Sequence, residues 1–272
     1  MSAGRYIVAI GLGFLALGVA RASADKLDDI ISAGELRCSI VLDFPPIGFR
    51  DAKNEPDGFD VDYCKDLAAS LGVKATIVEA TWADRIPSLI SNRADVSIAA
   101  ASDTLERAQT IGLSIPYMAY TYQIAVRKGS DIKSFDDLKG RKVATVVATT
   151  NETFFLEKFK EWNDPKGEHL SLQTEADMFL ALEQGRVDAV VSGSTAVAGY
   201  IKGGKFPNIE RGPDAPFLPD FVSILAPRQE YGLLRYLDLF VNRQVRGGRY
   251  QELYEKWIGG KAPDLTISGV YR

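Results

Sequence analysis

The sequence predicts an α/β protein built as two lobes of similar construction. Three observations carry this. Strand-like and helix-like segments alternate, which favours largely parallel sheets flanked by helices. A βαβαβ order runs through the chain twice. Two further strand patterns and two helical segments remain to tie the halves together.

In the first half, Leu36 to Leu42 reads as a strand, and Phe59, Cys64, Leu67, Ala68 and Leu71 recur at helical spacing. Lys74 to Glu79 is strand-like, Ile86, Leu89 and Ile90 mark a short helix, and Val96 to Ala101 is an apolar strand. The second half repeats this with Lys142 to Val147, Glu152 to Glu161, Leu170 to Gln173, Met178 to Glu183 and Val187 to Val191. Both halves carry a related helix-to-strand turn, Asn92-Arg93-Ala94-Asp95 and Gly185-Arg186-Val187-Asp188. Tyr122 to Val126 reads as a strand leaving the first lobe and Phe221 to Ala226 as a strand after the second. The helices Tyr231 to Val245 and Tyr250 to Trp257 are expected to pack back on the first lobe. The chain then crosses twice between lobes, 25–122 and 224–272 forming one and 123–223 the other. Two extended crossings make a hinge, and Pro213, Pro216 and Pro219 stiffen the second.

Residues 1–24 read as an export signal peptide. Arg5 supplies a positive start, Ile7 to Val19 are mostly apolar, and Ala22-Ser23-Ala24 predicts cleavage after Ala24. The apolar run is shorter than the roughly 20 residues that span a bilayer. No Cys stands at the cleavage point to suggest a lipid anchor, so a soluble periplasmic product is expected. Without Arg5 and Arg21 the chain has 30 basic and 36 acidic residues, a net charge of −6. That balance lacks the basic stripe that nucleic acid requires. The two cysteines, Cys38 and Cys64, suit one disulfide in an oxidising compartment, the alternative being two buried thiols.

No sequence signature of a metal site, phosphate loop, nucleophile elbow or dinucleotide fold is present, and no cofactor is implied. The single histidine, His169, falls in a polar stretch and is expected on a solvated loop. Binding features instead gather where strands end, which is where open parallel sheets hold ligands. Phe44 beside Pro45 and Pro46 is either a rigid apolar wall or a core residue at a braced turn. Around Ala100 and Ser102, small residues allow close backbone approach, and Asp103 and Glu106 have capping-box spacing. Arg107, one turn on, is either an exposed arginine or a guanidinium placed to grip a carboxylate with two bonds. Thr149, Thr150 and Asn151 open a helix at the matching turn of the second half, where free N–H groups attract anions, and Thr149 with Glu152 fits a capping box.

From Leu36 to Gly259 the chain resembles the polar amino-acid-binding proteins of ABC importers, solute-binding protein family 3. The resemblance lies in phrases standing in the family's order. They include Phe44-Pro45-Pro46, Gly58-Phe59-Asp60, Trp82 before Pro87, Ser102 through Glu106-Arg107, Pro116-Tyr117, Thr149-Thr150-Asn151-Glu152 and Gly185-Arg186-Val187-Asp188-Ala189. It implies the type II periplasmic-binding-protein fold, no catalysis, and a monomer that closes on a small carboxylate or amino acid and delivers it to a membrane permease. Phe44 and Trp82 would wall the ligand side chain. Ser102 and Arg107, with the backbone at Ala100, would hold its carboxylate, and Thr150 and Asn151, on the turn that Thr149 begins, would add bonds on closure. Cys38 and Cys64 resemble a cysteine pair of one branch.

One departure stands out. The family's ammonium-binding acid falls at Gly193, and its other acidic site at Val41. An ammonium buried without a counter-charge is costly. Three explanations stay open. Asp43 or Asp103 substitutes for the acid, or the ligand lacks a primary ammonium, or it carries a methylated one boxed by Trp82, Tyr120 or Tyr122. Two rival classes on this fold are a periplasmic dehydratase, for which Asp43, Glu79 and Asp103 are the candidate proton donors, and a receptor's sensing domain.

Overall fold

A computed structural model describes residues 25–265; the expected signal peptide and residues 266–272 fall outside the described residues. Helix α1 (Lys26–Ala33) leads into strand β1 (Glu35–Val41). A small three-stranded sheet follows, β2 (Asp43–Phe44), β3 (Gly48–Arg50) and β4 (Pro56–Asp57). Then come α2 (Phe59–Leu71), β5 (Lys74–Ala80), α3 (Arg85–Ile90), β6 (Val96–Ser102), α4 (Leu105–Ala108) and β7 (Gly112–Tyr120). The second lobe runs β8 (Tyr122–Arg127), β9 (Lys142–Val146), α5 (Thr150–Trp162), β10 (Glu168–Leu172), α6 (Glu175–Glu183), β11 (Ala189–Gly193), α7 (Ser194–Gly203) and β12 (Ile209–Asp214). The chain returns as β13 (Asp220–Ala226), α8 (Tyr231–Arg246) and α9 (Arg249–Trp257).

The first sheet has the order β5-β1-β6-β13-β7 and the second β10-β9-β11-β8-β12. In each, four strands share one direction and only the fourth in the order, β13 or β8, runs antiparallel to them. The sheets are thus largely parallel as expected, each with one reversed strand, the one that enters from the other lobe. All seven residues of β6 are buried, as its near-continuous apolar run requires of a strand covered on both faces. In α8 the buried positions Leu233, Leu237, Phe240, Val241 and Gln244 form one helical stripe against the first lobe.

The first crossing is Thr121, between β7 and β8, and the second lies between Asp214 and Asp220. Strand β13 belongs whole to the first sheet, pairing from Asp220 with Tyr120 and from Val222 with Ser102. The return therefore precedes the expected boundary at residue 224. Cys38 on β1 and Cys64 on α2 are disulfide-bonded. Closing this loop removes about 3.5 kcal/mol of unfolded-chain entropy in the loop-closure picture. His169 corrects another expectation. It lies on β10 rather than on a solvated loop, half-buried, with Nε2 2.8 Å from Thr145 Oγ1.

Candidate functional site

Residues at or just beyond the carboxyl ends of parallel strands of both sheets, among them Trp82, Ser102, Thr149 and Gly193, converge on one cleft. Within it lies a small cavity of about 10 Å³, nearly filled by the side chains that line it from both lobes.

From the first lobe, Phe44 and Trp82 supply an aromatic wall, packed edge to face with ring centroids 5.0 Å apart. Ala100 and Ser102, at the end of β6, also line the cavity. Ala100 adopts φ +45°, a left-handed conformation costly for a side chain with a Cβ. A buried chain of bonds holds it there: its N–H donates to the Tyr117 hydroxyl (3.2 Å), which donates to Asp60 (2.9 Å). Burial pushes the Asp60 carboxyl well up, against the pull of that hydroxyl.

From the second lobe, Thr149, Thr150 and Asn151 line the cavity at the start of α5. Thr149 is the N-cap, accepting from the Glu152 N–H. Glu152 reaches back one residue further than a capping box does, accepting from the Ala148 N–H at 3.0 Å. At the other strand-to-helix turn the cap is Thr104, which accepts from the Arg107 N–H, and not Asp103. Ser102 and Thr150 are hydrogen-bonded hydroxyl to hydroxyl across the cleft, so the lobes are closed.

The expected carboxylate anchor, Arg107, sits at the cavity's rim, donating to the carbonyls of Ser102 (2.9 Å) and Ala148 (3.4 Å). A second guanidinium, absent from the sequence reading, lines the cavity itself. Arg85 donates to the carbonyls of Trp82, Ala99 and Ala100 and, across the cleft, to Ala148 at 2.7 Å. It lies 5.0 Å from the Trp82 ring centroid. Burial and the nearby Arg107 lower its pKa to about 9, which leaves it charged at neutral pH.

Neither expected substitute acid lines the cavity. Asp43 clasps the second lobe from outside it: its carboxylate accepts from the N–H of Glu175 at 2.9 Å, and its carbonyl accepts from the Tyr200 hydroxyl. Burial raises the Asp43 pKa to about 6. Asp103 is exposed, and its pKa is also raised to about 6, by partial burial and then by the charge of Asp220.

Two other acids do line the cavity, Asp220 and Glu175. Asp220 accepts from the Ser102 hydroxyl at 2.9 Å. Burial raises its pKa, opposed by the hydroxyls of Ser102, Tyr122 and Tyr120 and by Arg107. Gly193 lines the cavity too, but its missing side chain has little room. A Cβ there would stand 3.1 Å from the Tyr120 ring and 3.2 Å from that of Phe44.

Asp220 was legible only as an acid heading an apolar strand, at the amino end of an antiparallel strand where the search for parallel strand ends does not look. Glu175 resembles any acid in a helix's first turn, and Arg85 any surface arginine.

A family model for bacterial extracellular solute-binding proteins, family 3, matches residues 36–260. A probable histidine-binding protein of Neisseria gonorrhoeae is 29% identical over 227 residues, covering 81% of this chain and 82% of that one. A cyclohexadienyl dehydratase of Pseudomonas aeruginosa is 27% identical over 255 residues, 93% of each chain. The solved structure of an ancestral arginine-binding protein bound to arginine superposes with a TM-score of 0.78 at 32% identity, over 83% of this chain and 99% of that one. With these matches the two-lobed architecture and closed cleft acquire a family: the chain belongs to the bacterial extracellular solute-binding proteins, family 3.

Proposed function

We propose that this protein captures an α-amino acid outside the cytoplasm by closure of its two lobes and hands it, as a monomer, to the permease of an ABC importer. The observation that carries the amino-acid half is Asp220. In an α-amino acid the ammonium lies two bonds from the carboxylate carbon, so the acid that pairs with it must share neighbours with the carboxylate anchors. Asp220 does, through its bond with Ser102. The ligand's carboxylate then takes the N–H groups at the start of α5, the hydroxyls of Ser102 and Thr150, and the fields of Arg85 and Arg107. Its ammonium takes Asp220, the counter-charge that Gly193 does not supply. Phe44 and Trp82 hold the side chain. Thr150 and Asn151 come within reach only on closure, and contacts made in one state alone shift the population toward it. The names of the relatives, which include binders of histidine and arginine, support the same class.

A dehydratase on this fold is the second reading, favoured by the buried acid Glu175 as a proton donor and by the Pseudomonas aeruginosa relative. Calorimetric titration with the common amino acids and their desamino analogues tests the first reading. Amino acids are expected to bind and desamino acids not, and D220N should weaken amino-acid binding about 100-fold. Binding of desamino acids alone contradicts it. Turnover of a cyclohexadienyl acid by the purified protein would establish the second.

A further inference from the structure

We propose that the end of the cavity away from the carboxylate anchors is built for a positively charged side chain, with Glu175 as its partner, so that the captured amino acid is a basic one. This rests on the amino-acid reading above and goes beyond it in naming the side chain.

Glu175 begins α6, is 1% exposed, and lines the cavity. One carboxyl oxygen, Oε1, accepts from the Ser192 hydroxyl at 2.8 Å. The other, Oε2, is buried without a hydrogen-bond partner among the described residues. An orphaned buried acceptor costs about 1–3 kcal/mol unless something meets it, and here the open direction is a ligand cavity.

The surroundings say what meets it. The hydrogen-bonded neighbours of Glu175 are Ser192 through its side chain and Asp43 through its N–H. Neither belongs to the Ser102–Thr150–Asp220 cluster. Glu175 therefore serves a different part of the ligand from the one Asp220 serves. Asp43 adds a second, half-buried carboxyl beside it, with the Tyr200 hydroxyl near both and Asp177 near Asp43. Burial, and then Asp43, push the Glu175 carboxyl well up, and only Ser192 pulls it back. Among the described residues no salt bridge to either acid is present, and no cation acts on the Glu175 carboxyl. The two guanidinium groups of the cleft, Arg85 and Arg107, are committed to the carbonyls of Trp82, Ala99, Ala100, Ser102 and Ala148.

The cavity thus has a cationic end and an acidic end with no resident counter-charge. An apolar side chain would leave Oε2 unmet, and a neutral amide could donate to it without supplying charge. An ammonium, guanidinium or imidazolium would ionise it and pair with it, with Phe44 and Trp82 against the apolar stem.

Titration calorimetry of the mature chain with matched probes tests this. L-Arginine, L-lysine and L-histidine are compared with the neutral L-citrulline, L-norleucine and L-glutamine. A basic amino acid is expected to bind about 100-fold more tightly than every neutral one. In E175Q, which is isosteric and keeps a partner for Ser192, that preference should fall below about 10-fold. Tight binding of a neutral amino acid by the wild type, with no basic one preferred, overturns this proposal and leaves the amino-acid reading standing. Binding of no α-amino acid overturns both. An unchanged preference in E175Q also overturns it, and should that variant fail to fold, the wild-type ratio decides alone.

Discussion

The two strand-to-helix turns that face the cleft use one backbone device with opposite support. Each carries an alanine at positive φ, Ala100 at +45° and Ala148 at +61°, and each leads to a threonine cap, Thr104 or Thr149. The first-lobe turn opens a helix of only 4 residues and is held from a distance, by Tyr117 and Asp60. The second opens a helix of 13 residues and is held locally, by Glu152 on that helix. The long helix supplies free N–H groups and their dipole, whereas the short one delivers Arg107 at the rim. Repetition of a fold unit thus yields two complementary halves of a binding site. One lobe contributes guanidinium charge, and the other contributes oriented N–H groups.

The largest effect is expected from R85M, because Arg85 is buried and bonds to both turns, at Ala100 and at Ala148. Its loss strands several buried carbonyls and should cost about 3 kcal/mol in urea unfolding; a loss under about 1 kcal/mol would mean the turns stand without it. Next is Y117F, which leaves the Ala100 N–H and Asp60 without their shared partner. About 2 kcal/mol is expected, by the same measurement, with the second-lobe turn unaffected in amide hydrogen exchange. A smaller contrast separates the caps. T149A should cost about 1 kcal/mol. T104A should cost only a few tenths, since it caps a helix too short to stand alone. Equal losses would erase the proposed asymmetry.

Asp43 gives a pH test of the clasp between lobes. Its folded pKa of about 6 exceeds the unfolded 3.8, so the folded state binds the proton more tightly. That contribution is fully present below pH 3.8 and is lost as pH rises through 6. Thermal melts of the ligand-free protein should therefore fall between pH 5 and 7, and D43N should flatten that slope. A slope unchanged in D43N would assign it to other groups.

Much of the architecture was legible, because βαβ periodicity and the apolar stripe of α8 depend only on local spacing. Phe44, Trp82, Ala100, Ser102 and the Thr149–Asn151 turn were named from the sequence, and all of them line the cavity. What was not legible depends on long-range pairing. Strand β13 inserts between β6 and β7, and that alone brings Asp220 to Ser102 across 118 positions. Asp43 looked like a cavity acid until lobe closure set it on the α6 N-terminus. Arg85 is buried only because four carbonyls from both lobes converge on it.

Capture by closure is the central claim, and Gly199 on α7 allows it to be tested without altering the cavity. A Cβ at Gly199 would lie 2.2 Å from the backbone oxygen of Pro45 in the other lobe, a contact that exists only when the lobes are shut. Overpacking of this kind costs about 1–3 kcal/mol, which here falls on the closed state alone and predicts about a 10- to 100-fold loss of amino-acid affinity in G199A. The ligand-free melting temperature should change little if the open form is accessible. Calorimetric titration of G199A with the amino acid that binds the wild type most tightly is the direct measurement. Weakened binding of that size supports closure as the source of affinity, and wild-type affinity in G199A would contradict it.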